Sequence, residues 1–174
     1  MKNTYIVIAL LFVFMLTGCG SGGPSDNDRP APIMISGQVP PTLAEGASRP
    51  GRSYRIAIVG GHGEAVVFQV IEPRTVIGGQ DYPLVLEGHG FGGSRQTNAA
   101  DNTSIAALSN NGYGVISIDL RGHGESGGTI RVIDPDFEGL NLIAILDWAE
   151  ANLDWLAYGP DADAGTDNLL LGAI

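Results

Sequence analysis

Two stretches constrain this chain most: "YPLVLEGHGFGGS", residues 82–94, and "YGVISIDLRGHGESGG", residues 113–128. Each begins as a short, continuous apolar run and breaks into glycines. Such a run marks a strand buried on both faces. Between them there is room for one short helix, around Thr103 to Asn110, with Ile105 and Leu108 on one face and Gly112 as its stop. A strand, helix and strand in this order join parallel strands through a right-handed crossover. The chain is therefore expected to build an α/β sheet with a glycine-rich loop at the carboxyl end of each of these strands.

The rest of the folded part fits that frame. "YRIAIVG" and "EAVVFQVIE" are β-branched runs on either side of "GHG", which reads as an antiparallel hairpin with His62 as a turn residue. Asp134 and Pro135 suit the start of a long helix, as cap and first-turn residue. Phe137, Leu140, Ile143, Ala144, Ile145, Trp148, Ala151 and Trp155 cover most of its circumference, so burial on a sheet is expected. "NLLLGAI", residues 168–174, reads as a further buried strand.

The N-terminus has a different character. Lys2 precedes an apolar run from Tyr5 to Leu16, followed by small residues and Cys19, the only cysteine. This is the layout of a secretory signal peptide, too short to span a membrane as a helix. Leu16-Thr17-Gly18-Cys19 resembles a bacterial lipobox. The resemblance implies cleavage before Cys19 and lipidation there, hence an exported, membrane-anchored lipoprotein on the periplasmic or cell-surface side. Residues 1–18 are then the leader. Residues 19–52, rich in Gly, Pro, Ser and Asp, read as a flexible tether, and 53–174 as the folded domain. The formal net charge is −10, and every cation beyond Lys2 is an arginine. That balance argues against nucleic acid or an anionic membrane surface as partner.

Three motifs could carry chemistry. Gly124-Glu125-Ser126-Gly127-Gly128 is a literal G-x-S-x-G. In a nucleophile elbow the serine sits on a sharp strand-to-helix turn, and the next residue gives its N–H to the oxyanion. Ser126 lies several residues past the strand, with "GGTIRVIDPD" before the next helix, so it does not meet the elbow's context. The first loop has two readings. Gly88, Gly90 and Gly93 satisfy the dinucleotide pattern G-x-G-x-x-G, with Asp119 available as a ribose acid. That fingerprint needs a helix to open at the glycines, whereas "SRQTNAAD" intervenes and a hairpin precedes. The other reading is an oxyanion loop, with the backbone N–H of Phe91 or Gly92 facing charge that develops on a carbonyl oxygen. The third motif, "DADAGTD" from Asp161 to Asp167, alternates carboxylates as calcium loops do. It lacks the EF-hand spacing and the closing glutamate, so a surface loop is expected. No cofactor or metal is expected.

Taken together, "PLVLEGHGFGGS" and "GYGVISIDLRGHGESGG" resemble the first half of an α/β-hydrolase, over about Tyr54 to Ile174. In that fold the third strand ends in His-Gly and the oxyanion loop, here His89 and Gly90. The fourth ends in Asp-x-Arg-Gly-x-Gly-x-Ser, here Asp119, Arg121, Gly122, Gly124 and Ser126. The helix "DFEGLNLIAILDWAEAN" and the following "LLLGAI" are similar to the branch that holds X-prolyl dipeptidyl peptidases (S15) and cocaine-esterase-like hydrolases. A tyrosine hydroxyl often contributes to the oxyanion hole of that branch, whereas Phe91 offers only its backbone.

The resemblance implies a serine hydrolase acting on small-molecule or peptide acyl substrates, ester or amide, through an acyl-enzyme. Phe91 and Gly92 would be backbone oxyanion donors, and Asp119, Arg121 and Ser126 would hydrogen-bond to shape the loop beneath. The family's elbow follows the fifth strand, and its acid and histidine come later. His89 and His123 precede that position and read as loop-packing residues. The chain is thus expected to be an N-terminal half, truncated at the fifth strand and inactive alone. Two alternatives stay open: a lipid-anchored, non-catalytic binding module on the same fold, and a dinucleotide-binding Rossmann domain.

Overall fold

The computed structural model describes residues 31–132, 134–160 and 167–174. The expected leader, Cys19 and the aspartate-rich loop up to Thr166 lie outside the described residues. The strands are β1 (Met34–Gly37), β2 (Ser48–Pro50), β3 (Ser53–Val59), β4 (Ala65–Ile71), β5 (Thr75–Ile77), β6 (Leu84–Gly88), β7 (Gly114–Ile118), β8 (Tyr158–Pro160), β9 (Asp167–Leu169) and β10 (Leu171–Ala173). The helices are α1 (Ser104–Asn110) and α2 (Leu140–Asn152).

The main sheet has the order β1-β3-β4-β7-β6-β10. β3 and β4 form the expected hairpin, with Ile56 opposite Phe68 and Val59 opposite Ala65. β4 pairs antiparallel with β7, and β7, β6 and β10 are parallel. β3, β7, β6 and β10 therefore share one direction. β7 is buried along its whole length because it lies mid-sheet with a helix layer on each face. On one face Ala144, Ile145, Trp148 and Ala149 of α2 join Ile56, Phe68, Leu84 and Ile116 in the principal core, with the Trp148 and Phe68 rings edge-on at 5.0 Å. On the other, Ile105 of α1 meets Ile71 and Val115. Thr103 caps α1, its Oγ1 accepting the Ala106 N–H at 3.1 Å. No helix among the described residues is long and apolar enough to cross a membrane.

The structure departs from the sequence reading in four places. Residues 31–52, read as part of a tether, are docked: β1 pairs with β3, β2 pairs with β5, and Glu72 holds both the Arg49 guanidinium and the Arg52 N–H. These attachments run largely through backbone, so they leave no apolar period to read. The long helix does open on Asp134, whose Oδ1 accepts the Asp136 N–H at 3.0 Å. Its first turn, residues 135–139, is nevertheless a π turn, with Gly139 N–H bonded to the Asp134 carbonyl, and α2 begins only at Leu140. α2 buries one face only; Leu140 and Leu142 remain exposed on the other. Finally, the run 168–174 splits at Leu170. β9 turns to β8, β10 joins β6 at the edge of the sheet, and the side chains of Leu170, Leu171 and Ile174 are exposed.

Candidate active site

Four segments meet at the carboxyl edge of the sheet: the β3–β4 turn, the loop after β6, the loop after β7, and Ile174 beyond β10. Ile174 lies against the β6 loop, since the Gly88 N–H reaches its carbonyl at 3.2 Å. After Gly88 the chain turns at once. The Gly93 N–H bonds to the Gly90 carbonyl at 3.0 Å, and Gly92 takes φ +78°, a left-handed conformation that costs glycine little. Phe91 heads this turn with its side chain 89% exposed. The N–H groups of Phe91 and Gly92 make no hydrogen bond among the described residues. These are the two groups read as oxyanion donors.

His89 ties the turn to the neighbouring loop. Its Nδ1 lies 2.8 Å from the Gly90 carbonyl and its Nε2 lies 3.2 Å from the Leu120 nitrogen. The ring therefore donates through Nδ1 and accepts through Nε2. His123 packs edge-on to His89 at 4.9 Å and to Phe91 at 5.8 Å, with Nδ1 facing the Arg121 carbonyl. No histidine ring among the described residues hydrogen-bonds a serine hydroxyl.

The Asp-x-Arg-Gly-x-Gly-x-Ser loop is stitched to β4. The Val67 carbonyl accepts the Asp119 N–H, and the Ala65 carbonyl accepts the Gly127 N–H. Ser126 sits between these bonds, nearly buried, and its Oγ accepts the Val67 N–H at 2.8 Å. The hydroxyl is thus committed beneath the sheet edge, and the literal G-x-S-x-G leads into irregular chain rather than a helix. Gly122 and Gly124 both take positive φ. At Gly124 a Cβ would overlap the Asp119 carboxylate, so only glycine fits there.

Asp119, 1% exposed, accepts the Arg95 N–H at 2.8 Å and the Glu125 N–H at 2.9 Å, and it pairs with the Arg95 guanidinium. Arg95 also pairs with Glu125, which is held from its other side by Arg55 at 2.9 Å. Hydrogen bonds from Arg55, then from Arg95, push the Glu125 carboxyl down to about 2. Burial alone would lower the Arg95 pKa, but its hydrogen bond to Glu125 and the charge of Asp119 outweigh that and raise it.

Asp119, Arg121 and Ser126 each shape the loop, but with different partners and not with one another. Arg121 pairs with Glu64 of the β3–β4 turn, donates to the Thr129 carbonyl at 3.1 Å and lies over the Phe137 ring. Burial raises the Glu64 carboxyl, yet backbone N–H groups, Asn141 and Arg121 together hold it below the usual carboxylate range. His62 is a turn residue, as expected, and stacks on Phe137 at 4.3 Å. Arg95 and Glu125 have no counterpart in the motif reading. Their only sequence signal is charge within an otherwise polar loop, and their partners are far away along the chain.

The dinucleotide geometry is not formed. Gly88, Gly90 and Gly93 close a turn, the chain then runs irregularly, and α1 starts only at Ser104. Concavities of about 320 Å³ beside Arg52 and Arg74, and about 300 Å³ beside Leu43 and Trp155, lie away from the Phe91 turn. An open, apolar hollow of about 510 Å³ runs beside α1 from Ser104 to Tyr113 and reaches Ile174.

A leading antiparallel hairpin, a fourth strand inserted between the second and third, a fifth outside the third, and a His-Gly turn at the carboxyl edge are the α/β-hydrolase strand arrangement. The model of the X-Pro dipeptidyl-peptidase (S15) family matches residues 62–157, and the chain belongs to that family. No curated protein sequence matches it. Among solved structures it is similar to the Pyrococcus furiosus esterase PF2001 in two crystal forms. Identity is 27% and 26%, with 66% of this chain covered in both, 41% and 44% of the esterase, and a TM-score of 0.46. It is also similar to the hypothetical protein PA2218 from Pseudomonas aeruginosa, at 18% identity over 71% of this chain and 34% of that one, with a TM-score of 0.45. The chain thus spans less than half the length of the esterase it matches.

Proposed function

We propose that this chain provides the oxyanion side of a serine hydrolase that cleaves ester or amide acyl bonds through an acyl-enzyme. The observation that carries the reading is the turn at 89–93. It leaves two adjacent N–H groups, those of Phe91 and Gly92, without an acceptor among the described residues at the carboxyl edge of the parallel strands. Donors fixed in advance are what a tetrahedral oxyanion needs; this turn would supply one side of the hole and the residue after the nucleophile the other. Nucleophile, acid and histidine would come from chain following Ile174. That chain would emerge beside the Gly88 N–H, next to the donor turn. Ser126 plays no chemical part. The substrate is a small-molecule or peptide acyl compound, and the protein is an exported lipoprotein held to the membrane through Cys19.

The test has two arms. Reading the gene beyond the codon for Ile174 is expected to show a G-x-S-x-G within a few residues, and its product is expected to turn over an activated ester or an X-Pro amide. Residues 31–174 alone are expected to show no turnover. A stop codon directly after Ile174 would favour a non-catalytic binding module. Turnover by residues 31–174 that Ser126→Ala abolishes would reverse the reading of Ser126.

A further inference from the structure

We infer that Arg95 is a positioning residue: by gripping Asp119 and Glu125 it clamps the turn that presents the Phe91 and Gly92 N–H groups. The inference rests on the hydrolase reading above for its functional meaning, but its physical content stands on the loop itself. Residues 92–94 and 96–98 are exposed, whereas the Arg95 side chain between them is only 9% exposed. A surface arginine satisfies its donors in water. Arg95 instead turns inward, leaving its buried Nε without an acceptor.

What it reaches is the adjacent loop. The Arg95 N–H and guanidinium both go to Asp119, and the second guanidinium nitrogen goes to Glu125. On the other side of the turn, His89 accepts the Leu120 N–H. The segment 89–95 is therefore tied at both ends to residues 119–125, with the turn at Phe91 and Gly92 between the ties. Behind it, the Gln96 N–H bonds to Ser117 Oγ at 2.7 Å, and Ser117 donates to Glu87. Glu125 is braced in turn by Arg55 of β3, which also donates to Ser36 of β1 at 3.0 Å. The clamp thus refers the donor turn to the body of the sheet. Fixed donors stabilise a developing charge without reorganising at the moment of reaction, and the Arg95 guanidinium adds to the backbone ties that hold this end of the turn.

Amide hydrogen exchange by NMR on the full chain reads the clamp. The informative amides are those of Gly93 and Leu120, whose hydrogen bonds Arg95 does not itself make. Arg95→Met is expected to speed exchange at both by about ten-fold while β3 and β4 amides keep wild-type rates. Arg95→Lys is expected to recover part of that protection. If the uncovered Asp119 charge prevents Arg95→Met from folding, the double variant Arg95→Met/Asp119→Asn removes both charges and is expected to show the same local loosening. Wild-type exchange at Gly93 and Leu120 in either folded variant overturns the inference. In a catalytically competent longer product, Arg95→Met is expected to lower kcat about ten-fold with KM within about two-fold. Unchanged kcat also overturns it. If the wild-type longer product shows no turnover, the hydrolase reading fails, and the exchange rates still decide whether Arg95 clamps the turn.

Discussion

Substituting Ser126 by alanine separates a structural serine from a nucleophile, because the two roles predict opposite results. Ser126 Oγ accepts the N–H of Val67, a residue 1% exposed, beyond the point where the β4–β7 register ends at Phe68 and Ile118. Alanine offers no acceptor, and the nearly closed site leaves little access for water. An orphaned buried donor costs about 1–3 kcal/mol. For a domain of this size that corresponds to a fall in Tm of roughly 3–10 °C. Equilibrium urea denaturation can be followed through Trp148 and Trp155, both buried and therefore sensitive to unfolding. The midpoint is expected to fall with an unchanged slope, and a catalytically competent longer product carrying the substitution is expected to keep its kcat. A nucleophile would behave the other way, with activity lost and stability retained. Wild-type stability in Ser126→Ala would refute the structural role given to this hydroxyl.

Three further expectations follow from neighbouring geometry. Gly124→Ala places a Cβ on the Asp119 carboxylate at φ +51°, and the left-handed backbone alone costs about 1–2 kcal/mol, so a loss of at least that size should appear in the same denaturation assay. Trp148→Ala empties the centre of the principal core and should cost about 3–5 kcal/mol, or leave the chain unfolded by circular dichroism. The Glu125 carboxyl is depressed to about 2 from an ordinary 4.5, and Glu64 is also depressed. Their contribution to stability is therefore complete above about 4.5 and is lost as pH falls toward 2. Glu125→Gln should flatten part of that acid limb, with a small effect because the side chain is half exposed and screened by salt. An acid limb identical to wild type would show that the Arg55–Glu125–Arg95 pairing contributes nothing.

Where apolar periodicity carries the information, the fold was legible in the sequence. The hairpin of β3 and β4, the strands β6 and β7, α1 between them and the cap at Asp134 all appear where composition and turn residues put them. What escaped depends on backbone pairing or on distant partners. β1 is exposed at every residue, so its pairing with β3 leaves no pattern. The π turn at 135–139 differs from a helical start by a single hydrogen-bond offset that no residue type announces. The site divides in the same way. His89, Asp119 and Ser126 belong to local motifs, whereas Arg95 gains its meaning only when the chain brings Asp119 to it. The five-letter match around Ser126 carries no information on where the hydroxyl bonds. The Val67 N–H that occupies the hydroxyl lies 59 positions away.

A fluorophosphonate probe, which phosphonylates activated serine hydroxyls, distinguishes most directly between a donor half-site and a complete one. Residues 31–174, incubated with the probe and weighed as intact protein, are expected to show no added mass, because Ser126 is hydrogen-bonded into β4 with no histidine ring on its oxygen. A stoichiometric adduct mapped to Ser126 by peptide mass spectrometry would contradict that expectation.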